Sequence, residues 1–189
     1  MNNSISKLYK TPKSIFTTKD LSLIWQEKDK KKLYSKISYY LKKGEIKKLS
    51  RGIFAKDKNY DIRELATSIY SPSYISFETV LVDAGIIFQY YETIFIATKW
   101  TRRITIDDKT FCLRKIKDLV LYNPEGIISK NNYNIASPER AFLDMIYLFP
   151  NYYFDNLRPI DWDKCSSLVK IYNNQKLIER FLEYKKNVK

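Results

Sequence analysis

A helix that runs into a glycine and then into a short hairpin leaves a chain few ways to fold, and residues 29–56 read in that order. Asp29 is placed to cap a helix over KKKLYSKISYYLKK, where its side chain can accept a free backbone N–H. At about 100° per residue, Leu33, Ile37, Tyr40 and Leu41 fall on one side of that helix. Lys32, Ser35, Tyr39 and Lys42 fall opposite, flanked by Lys36 and Lys43. Gly44 ends the helix, because the position after the C-cap favours a left-handed backbone. Two short strands follow, EIKKL with Ile46 and Leu49 apolar and GIFA with Ile53 and Phe54, turned by Ser50, Arg51 and Gly52. Upstream, FTTKDLSLIW predicts a short helix over about 18–26. Thr17 or Thr18 can cap it, Thr17 and Asp20 approximate a capping box, and Leu21, Ile24 and Trp25 share a face.

Helix, turn, helix and two-stranded ribbon is the element order of a winged helix-turn-helix, which lays its second helix in the major groove of DNA. Residues 1–58 are therefore expected to form such a domain. Its DNA-binding face is assigned to Lys31, Lys32, Ser35, Lys36, Tyr39, Lys42 and Lys43 on the helix and to Lys47, Lys48 and Arg51 on the hairpin. Lysine and serine can reach phosphates or base edges, and Tyr39 can bond a phosphate or pack on a sugar. The other reading of the helix face is a solvated surface. Arg51 at the wing tip is either a minor-groove contact or an ordinary turn arginine. Tyr34, Tyr40, Phe54 and Trp25 are expected to pack between helix and ribbon.

Charge distribution favours the DNA reading. The chain has 189 residues and a net charge of +13. Residues 1–58 hold sixteen basic and five acidic groups, a net of +11, which leaves only +2 for residues 59–189. A coding bias toward lysine would raise it everywhere, whereas a basic head on a near-neutral body suits a polyanion. The chain contains no histidine, which removes Ser-His and Cys-His nucleophile pairs and the usual zinc ligand sets. Cys112 and Cys165 fit no metal spacing, and no cofactor is expected. The most apolar stretch, AGIIFQYYETIFIA, is broken by Gln89 and Glu92 well short of the roughly 20 residues a membrane span needs. The N-terminal residues carry charge without an apolar run, so no secretory signal and a reducing cytoplasmic setting are expected.

The remainder, residues 59–189, reads as a mixed α/β C-terminal domain ending in helices, which makes the whole chain α+β. DIRELATSIYS is a connecting helix over about 61–71. SPSYISFETVLVDAGII predicts a helix of about nine residues with Ser76 as N-cap, Glu78 in the first turn and Gly85 after its end. TIFIATK, RRITI, TFCLRKI and LVLYNPEGI are rich in strand formers. ASPERAFLDMIYLF has Ser137 as cap, Pro138 at the first position, and Ala141, Phe142, Met145, Ile146 and Phe149 on one face. Two amphipathic helices, around DWDKCSSLVKIYN and QKLIERFLEYKK, close the chain.

Two other groups of residues raise chemical possibilities. Asp107 and Asp108 precede Lys109, and Asp161 and Asp163 precede Lys164; a metal-dependent nuclease would need such carboxylates to converge near a lysine. Asp107 and Asp108 more simply make a hairpin turn, and the second pair suits a helix start, where the dipole favours acids. Neither catalytic nor metal-ligating residues are assigned. Lys99, Arg102 and Arg103 form the most basic spot of the body, either a contact for nucleic acid or an acidic partner, or a solvent-facing strand end.

Three stretches together resemble the AbiEi-type antitoxins of type IV toxin–antitoxin systems. FTTKDL through LYSKISYYLKKGEIKKLSRGIFAK is similar to their N-terminal winged helix, with Arg51, Gly52 and Phe54 closing the wing. YISFETVLVDAGII is similar to the start of their C-terminal domain, and IASPERAFLDMIYL to their Ala-x-Pro-Glu-Lys/Arg-Ala helix. The resemblance runs from about residue 15 to 149. It implies an autorepressor that binds inverted repeats of double-stranded DNA in its own promoter, with self-association on DNA. It also implies a nucleotidyltransferase-like toxin as functional partner, opposed without a stable complex. Ser137 to Leu148 would then support the antitoxic C-terminal domain. Lysine stands where such helices usually carry arginine, and lysine offers no bidentate fork for a base. A winged-helix regulator without a toxin partner, and a DNA-targeted nuclease, are the alternatives.

Overall fold

The computed structural model describes residues 4–187, so the first three residues of the charged N-terminal stretch lie outside the described part. The fold is α+β, and the chain divides into two compact units between Ile69 and Tyr70.

The first unit begins with α1 (Ser4–Tyr9), β1 (Ile15–Thr17), α2 (Thr18–Trp25) and α3 (Lys30–Lys42). The hairpin β2 (Lys47–Ser50) and β3 (Ile53–Ala55) follows, then α4 (Ile62–Ser68). Local chemistry sets the helix ends. Thr17 Oγ1 accepts the Asp20 N–H at 3.1 Å and Asp20 Oδ2 accepts the Thr17 N–H at 2.8 Å, a full capping box. Asp29 accepts the Lys32 N–H at 3.0 Å and starts α3. At its end Gly44 takes φ +70°, while the Gly44 and Glu45 N–H groups bond to the carbonyls of Leu41 and Tyr40. Those two bonds satisfy carbonyls the helix would otherwise leave open.

The ribbon is wider than its sequence suggests. β1 pairs antiparallel with β3, setting Phe16 opposite Phe54, so the sheet has order β1-β3-β2. Three residues carry no usable period, and this strand exists because β3 offers it an edge. Phe16, Leu21, Trp25, Leu33, Ile37, Tyr40, Ile46 and Phe54 make one buried core with Leu8 of α1. Tyr34, expected to pack there, is instead 56% exposed. Its place on α3 lies past Leu41 on the flank of the apolar stripe. Residues 59–69 belong with this unit and not with the C-terminal one, because Glu64 of α4 accepts hydrogen bonds from Ser14 N and Oγ at 2.9 and 2.7 Å.

The second unit holds β4 (Tyr74–Ile75), α5 (Glu78–Asp83), β5 (Ile94–Thr98), β6 (Arg102–Ile106), β7 (Lys109–Lys115) and α6 (Asp118–Leu121). After these come β8 (Ile127–Lys130), β9 (Tyr133–Ala136), α7 (Pro138–Leu148), α8 (Trp162–Leu168), a 3-10 turn at Val169–Tyr172 and α9 (Gln175–Asn187). The strands form one sheet in the order β6-β7-β5-β4-β9-β8. β6–β7 and β8–β9 are antiparallel hairpins, β4 runs antiparallel to β5, and the pairs β5–β7 and β4–β9 are parallel. α7, capped by Ser137 with Pro138 at its start, is buried from Glu139 to Ile146.

Two local expectations fail here. LVLYNPEGI is not a strand throughout: Asp118–Leu121 form α6, and only Ile127 onward pairs. A short apolar run does not distinguish helix from strand, and the Asn123 to Gly126 turn separates the two. Ser76 does not cap α5. Its hydroxyl donates to Asp144 at 2.7 Å, and Phe77 takes the N-cap position at φ 56° with no side-chain cap bond. That backbone is unfavourable for a residue with a Cβ, and surrounding contacts hold it. Glu78 and Arg114 form a two-bond ion pair at 2.5 and 2.6 Å, and the Arg114 guanidinium lies 4.9, 4.5 and 4.7 Å from the rings of Phe77, Phe95 and Phe149.

Among the described residues no helix is long and apolar enough to cross a membrane.

Candidate nucleic-acid interface

The capped start of α3 and its glycine stop hold the apolar stripe of the helix on the core, which leaves Lys31, Lys32, Ser35, Tyr39, Lys42 and Lys43 exposed. On the hairpin, Lys48 and Arg51 are exposed and Lys47 is half-buried. Two lysines lean on rings. Lys36 Nζ lies 5.0 Å from the Trp25 centroid, and Lys43 Nζ lies 4.7 Å from that of Tyr39. A hydrogen bond with the Tyr39 hydroxyl raises the pKa of the Lys43 ammonium.

Between α3 and the hairpin is a cleft of about 610 Å³ lined by Tyr34, Ser38 and Leu41 on the helix and by Lys48, Arg51, Gly52 and Phe54 on the hairpin. The hairpin residues Lys48 and Arg51 thus face a strip of α3 that lies beside the assigned helix face and was not part of it. Tyr34 and Ser38 are exposed polar residues of that strip. The helical period could have found them, since positions 34, 38 and 41 follow at i, i+4 and i+7; expecting Tyr34 in the core hid the pattern.

The second basic patch does not converge. Lys99 Nζ sits 3.3 Å from Asp118 Oδ2 and 4.8 Å from the Tyr122 centroid. Hydrogen bonds to Tyr122 and Asp118 raise its pKa. Arg102 donates to the Tyr70 hydroxyl at 3.4 Å. Arg102 and Arg103 are successive residues of β6 and so project to opposite faces of the sheet.

The aspartates take their local roles. Asp107 and Asp108, at φ 50° and 60°, form the two-residue turn between β6 and β7. Asp161 caps α8 by accepting the N–H groups of Asp163 and Lys164, each at 3.1 Å. The Lys164 N–H bond in particular holds that carboxyl below its usual range, and Lys164 Nζ stands 3.5 Å away. Among the described residues no three His, Cys, Asp or Glu side chains are placed to hold one metal ion.

One feature of the second unit left no mark in the sequence. Arg140 and Asp144, adjacent turns of α7, are both fully buried and 3.5 Å apart. Tyr74 and Tyr172 also donate to Asp144, at 3.0 and 2.6 Å. The guanidinium of Arg140 donates to the carbonyls of Glu125 and Val120 at 2.7 and 2.6 Å. The two Arg140 Nη groups and the hydroxyls end on protein acceptors, while the buried Nε makes no hydrogen bond and lies 3.5 Å from Asp144 Oδ1, and this polar network between distant elements is the arrangement of a structural centre.

No protein-family model matches this chain, and no curated protein matches it. A crystal structure of the RV2827C protein from Mycobacterium tuberculosis is similar over 94% of this chain and 73% of that one, with a TM-score of 0.55 and 12% identity. The likeness is one of fold. At that identity the side chains of the α3 face and the hairpin carry no information across from RV2827C, and the reading of the interface rests on this chain's own residues.

Proposed function

We propose that residues 4–69 act as a winged helix-turn-helix that binds double-stranded DNA, and that the protein represses transcription from its own promoter. The observation that carries this reading is that the basic residues along α3 are exposed, as are Lys48 and Arg51 of the hairpin, and that the exposed Tyr34 and Ser38 of the same helix share a cleft with Lys48 and Arg51. α3 would lie in the major groove, with Ser35 and Ser38 toward base edges and the lysines toward phosphates. The hairpin would place Arg51 against the flanking backbone or minor groove.

A role as an AbiEi-like antitoxin, opposing a nucleotidyltransferase-like toxin without a stable complex, extends this proposal. It rests on the sequence resemblance of residues 15–149. A winged-helix regulator with no toxin partner shares the same DNA face, and co-expression with the product of an adjacent toxin-like gene separates the two.

The deciding experiment is a gel-shift titration against the protein's own upstream region, beside a scrambled duplex and at two salt concentrations. Each phosphate neutralised adds roughly 0.9 to the slope of log affinity against log salt. A specific shift that weakens steeply with salt is expected. Equal, weak binding to both duplexes would reduce the basic head to a non-specific polyanion patch.

A further inference from the structure

We infer that the cleft between α3 and the hairpin reads thymine, by taking the C5-methyl group of that base against Tyr34 and Leu41. This inference deepens the DNA-binding reading and rests on it. Paired hydrogen bonds tell bases apart best through arginine on guanine and through asparagine or glutamine on adenine. The α3 sequence, KKKLYSKISYYLK, contains none of these three residues.

Its exposed lysines stand at its ends. Lys31 and Lys32 belong to the first turn and Lys42 to the last, where a helix lying in a groove meets the phosphates on the rims. Lys36, near the middle, is drawn over the Trp25 ring at 5.0 Å. The exposed residues of the middle are Tyr34, Ser35, Ser38 and Tyr39. A serine hydroxyl serves any base, and the Tyr39 ring is engaged edge-on by Tyr40 and by Lys43. Tyr34 remains, 56% exposed and beside the half-buried Leu41 in the cleft. At about 100° per residue, Ser38 lies about 20° round the helix from Lys31, and Tyr34 about 40° beyond Ser38 on the hairpin side. Tyr34 therefore borders the face offered to the groove.

The chemistry of the cleft chooses the base. The thymine methyl is the apolar group among the major-groove base edges, and it lies at the side of the groove next to the phosphates of its own strand. The cleft offers two matching sides. Tyr34 and Leu41 stand over an apolar floor of Ile37 and Phe54, and Lys48 and Arg51 line the hairpin side. Its volume of about 610 Å³ admits a methyl-bearing base edge together with the adjoining phosphate. The hairpin side is fixed before DNA arrives, because the Gly52 carbonyl accepts the Thr18 N–H at 2.9 Å and ties the turn to the start of α2.

The test is a gel-shift titration of the full chain against two duplexes of its own upstream region, one natural and one with deoxyuridine in place of every thymidine. Uracil keeps the base pairing and loses only the methyl. The uracil duplex is expected to bind more weakly, by about fourfold for each methyl taken out of the cleft, the scale of one buried methylene. Tyr34→Ala, at an exposed position, is expected to bind the two duplexes alike. Lys42→Ala, at the end of the helix, is expected to weaken both and to keep their ratio. Specific binding that is equal for the natural and uracil duplexes would overturn this inference and leave the DNA-binding reading standing. A thymine preference that survives intact in Tyr34→Ala would place the methyl contact elsewhere and overturn it as well. Absence of any specific shift on the natural duplex would overturn the DNA-binding reading and this inference with it.

Discussion

Ser76 donates a hydrogen bond to Asp144 at 2.7 Å across 68 positions of sequence. The same carboxylate collects the hydroxyls of Tyr74 and Tyr172 and faces Arg140, and all of these groups are buried. Burial first, and then the charge of Asp144, push both tyrosine hydroxyls well above their ordinary pKa, so they stay donors in alkaline solution. Removing one partner of such a pair leaves the other buried and uncompensated. Asp144→Ala should therefore lose about 3–5 kcal/mol, and Ser76→Ala about 1–2 kcal/mol, both measured by urea unfolding.

Asp20 ties stability to pH. Burial works against its charge, but hydrogen bonds from the Thr17 N–H and hydroxyl, with Lys13 at 3.1 Å, outweigh burial and lower its pKa below the ordinary value. A carboxyl depressed in the folded state contributes fully above its unfolded pKa and loses that contribution as pH falls through the folded one. Asp20→Asn is expected to be less stable than wild type by about 1 kcal/mol at neutral pH. The gap should begin to narrow below about pH 4, where the unfolded carboxyl protonates, and close as pH falls through the lower folded pKa. Paired denaturation curves between pH 7 and pH 3 test this; a gap that stays constant to pH 3 would count against it.

Alanine at Lys48 or Arg51 should weaken operator binding and lower the salt slope by roughly 0.9 for each phosphate contact removed. Tyr34→Ala should also weaken binding, with little change in melting temperature because its ring is largely exposed. Arg103→Ala, in the unit without a convergent patch, should leave the titration unchanged. Gel shifts with each purified variant, alongside thermal melts, separate loss of contact from loss of fold.

Gly126→Ala should destabilise the C-terminal unit by about 2 kcal/mol or more, through left-handed backbone and overpacking against Arg140 and Leu168 together. Chemical unfolding measures it directly. A loss below about 0.5 kcal/mol, the range of ordinary surface changes, would mean these neighbours give way more easily than the 3.0 Å approach implies.

Within the first unit, the ends of α2 and α3 could be read from Thr17, Asp20, Asp29 and Gly44, because caps and stops act within one helical turn. The hairpin followed from the turn at Ser50 to Gly52 for the same reason. The basic face could be drawn from the period of α3 alone. The cleft beside it could not, since it needs the distance between a helix and a hairpin joined through a shared core.

In the C-terminal unit, the cap and burial of α7 were written locally in Ser137, Pro138 and the apolar spacing after them. The diversion of Ser76, the positive φ of Phe77 and the burial of Arg140 had no local signal. Each depends on a partner brought from far along the chain: Asp144 for Ser76, Arg114 for Glu78 beside Phe77, and Glu125 and Val120 for Arg140. Local backbone chemistry decided where most elements begin and end. The pairing of β4 with both β5 and β9 decided which polar groups are buried together, because only that packing takes them out of water at the same point.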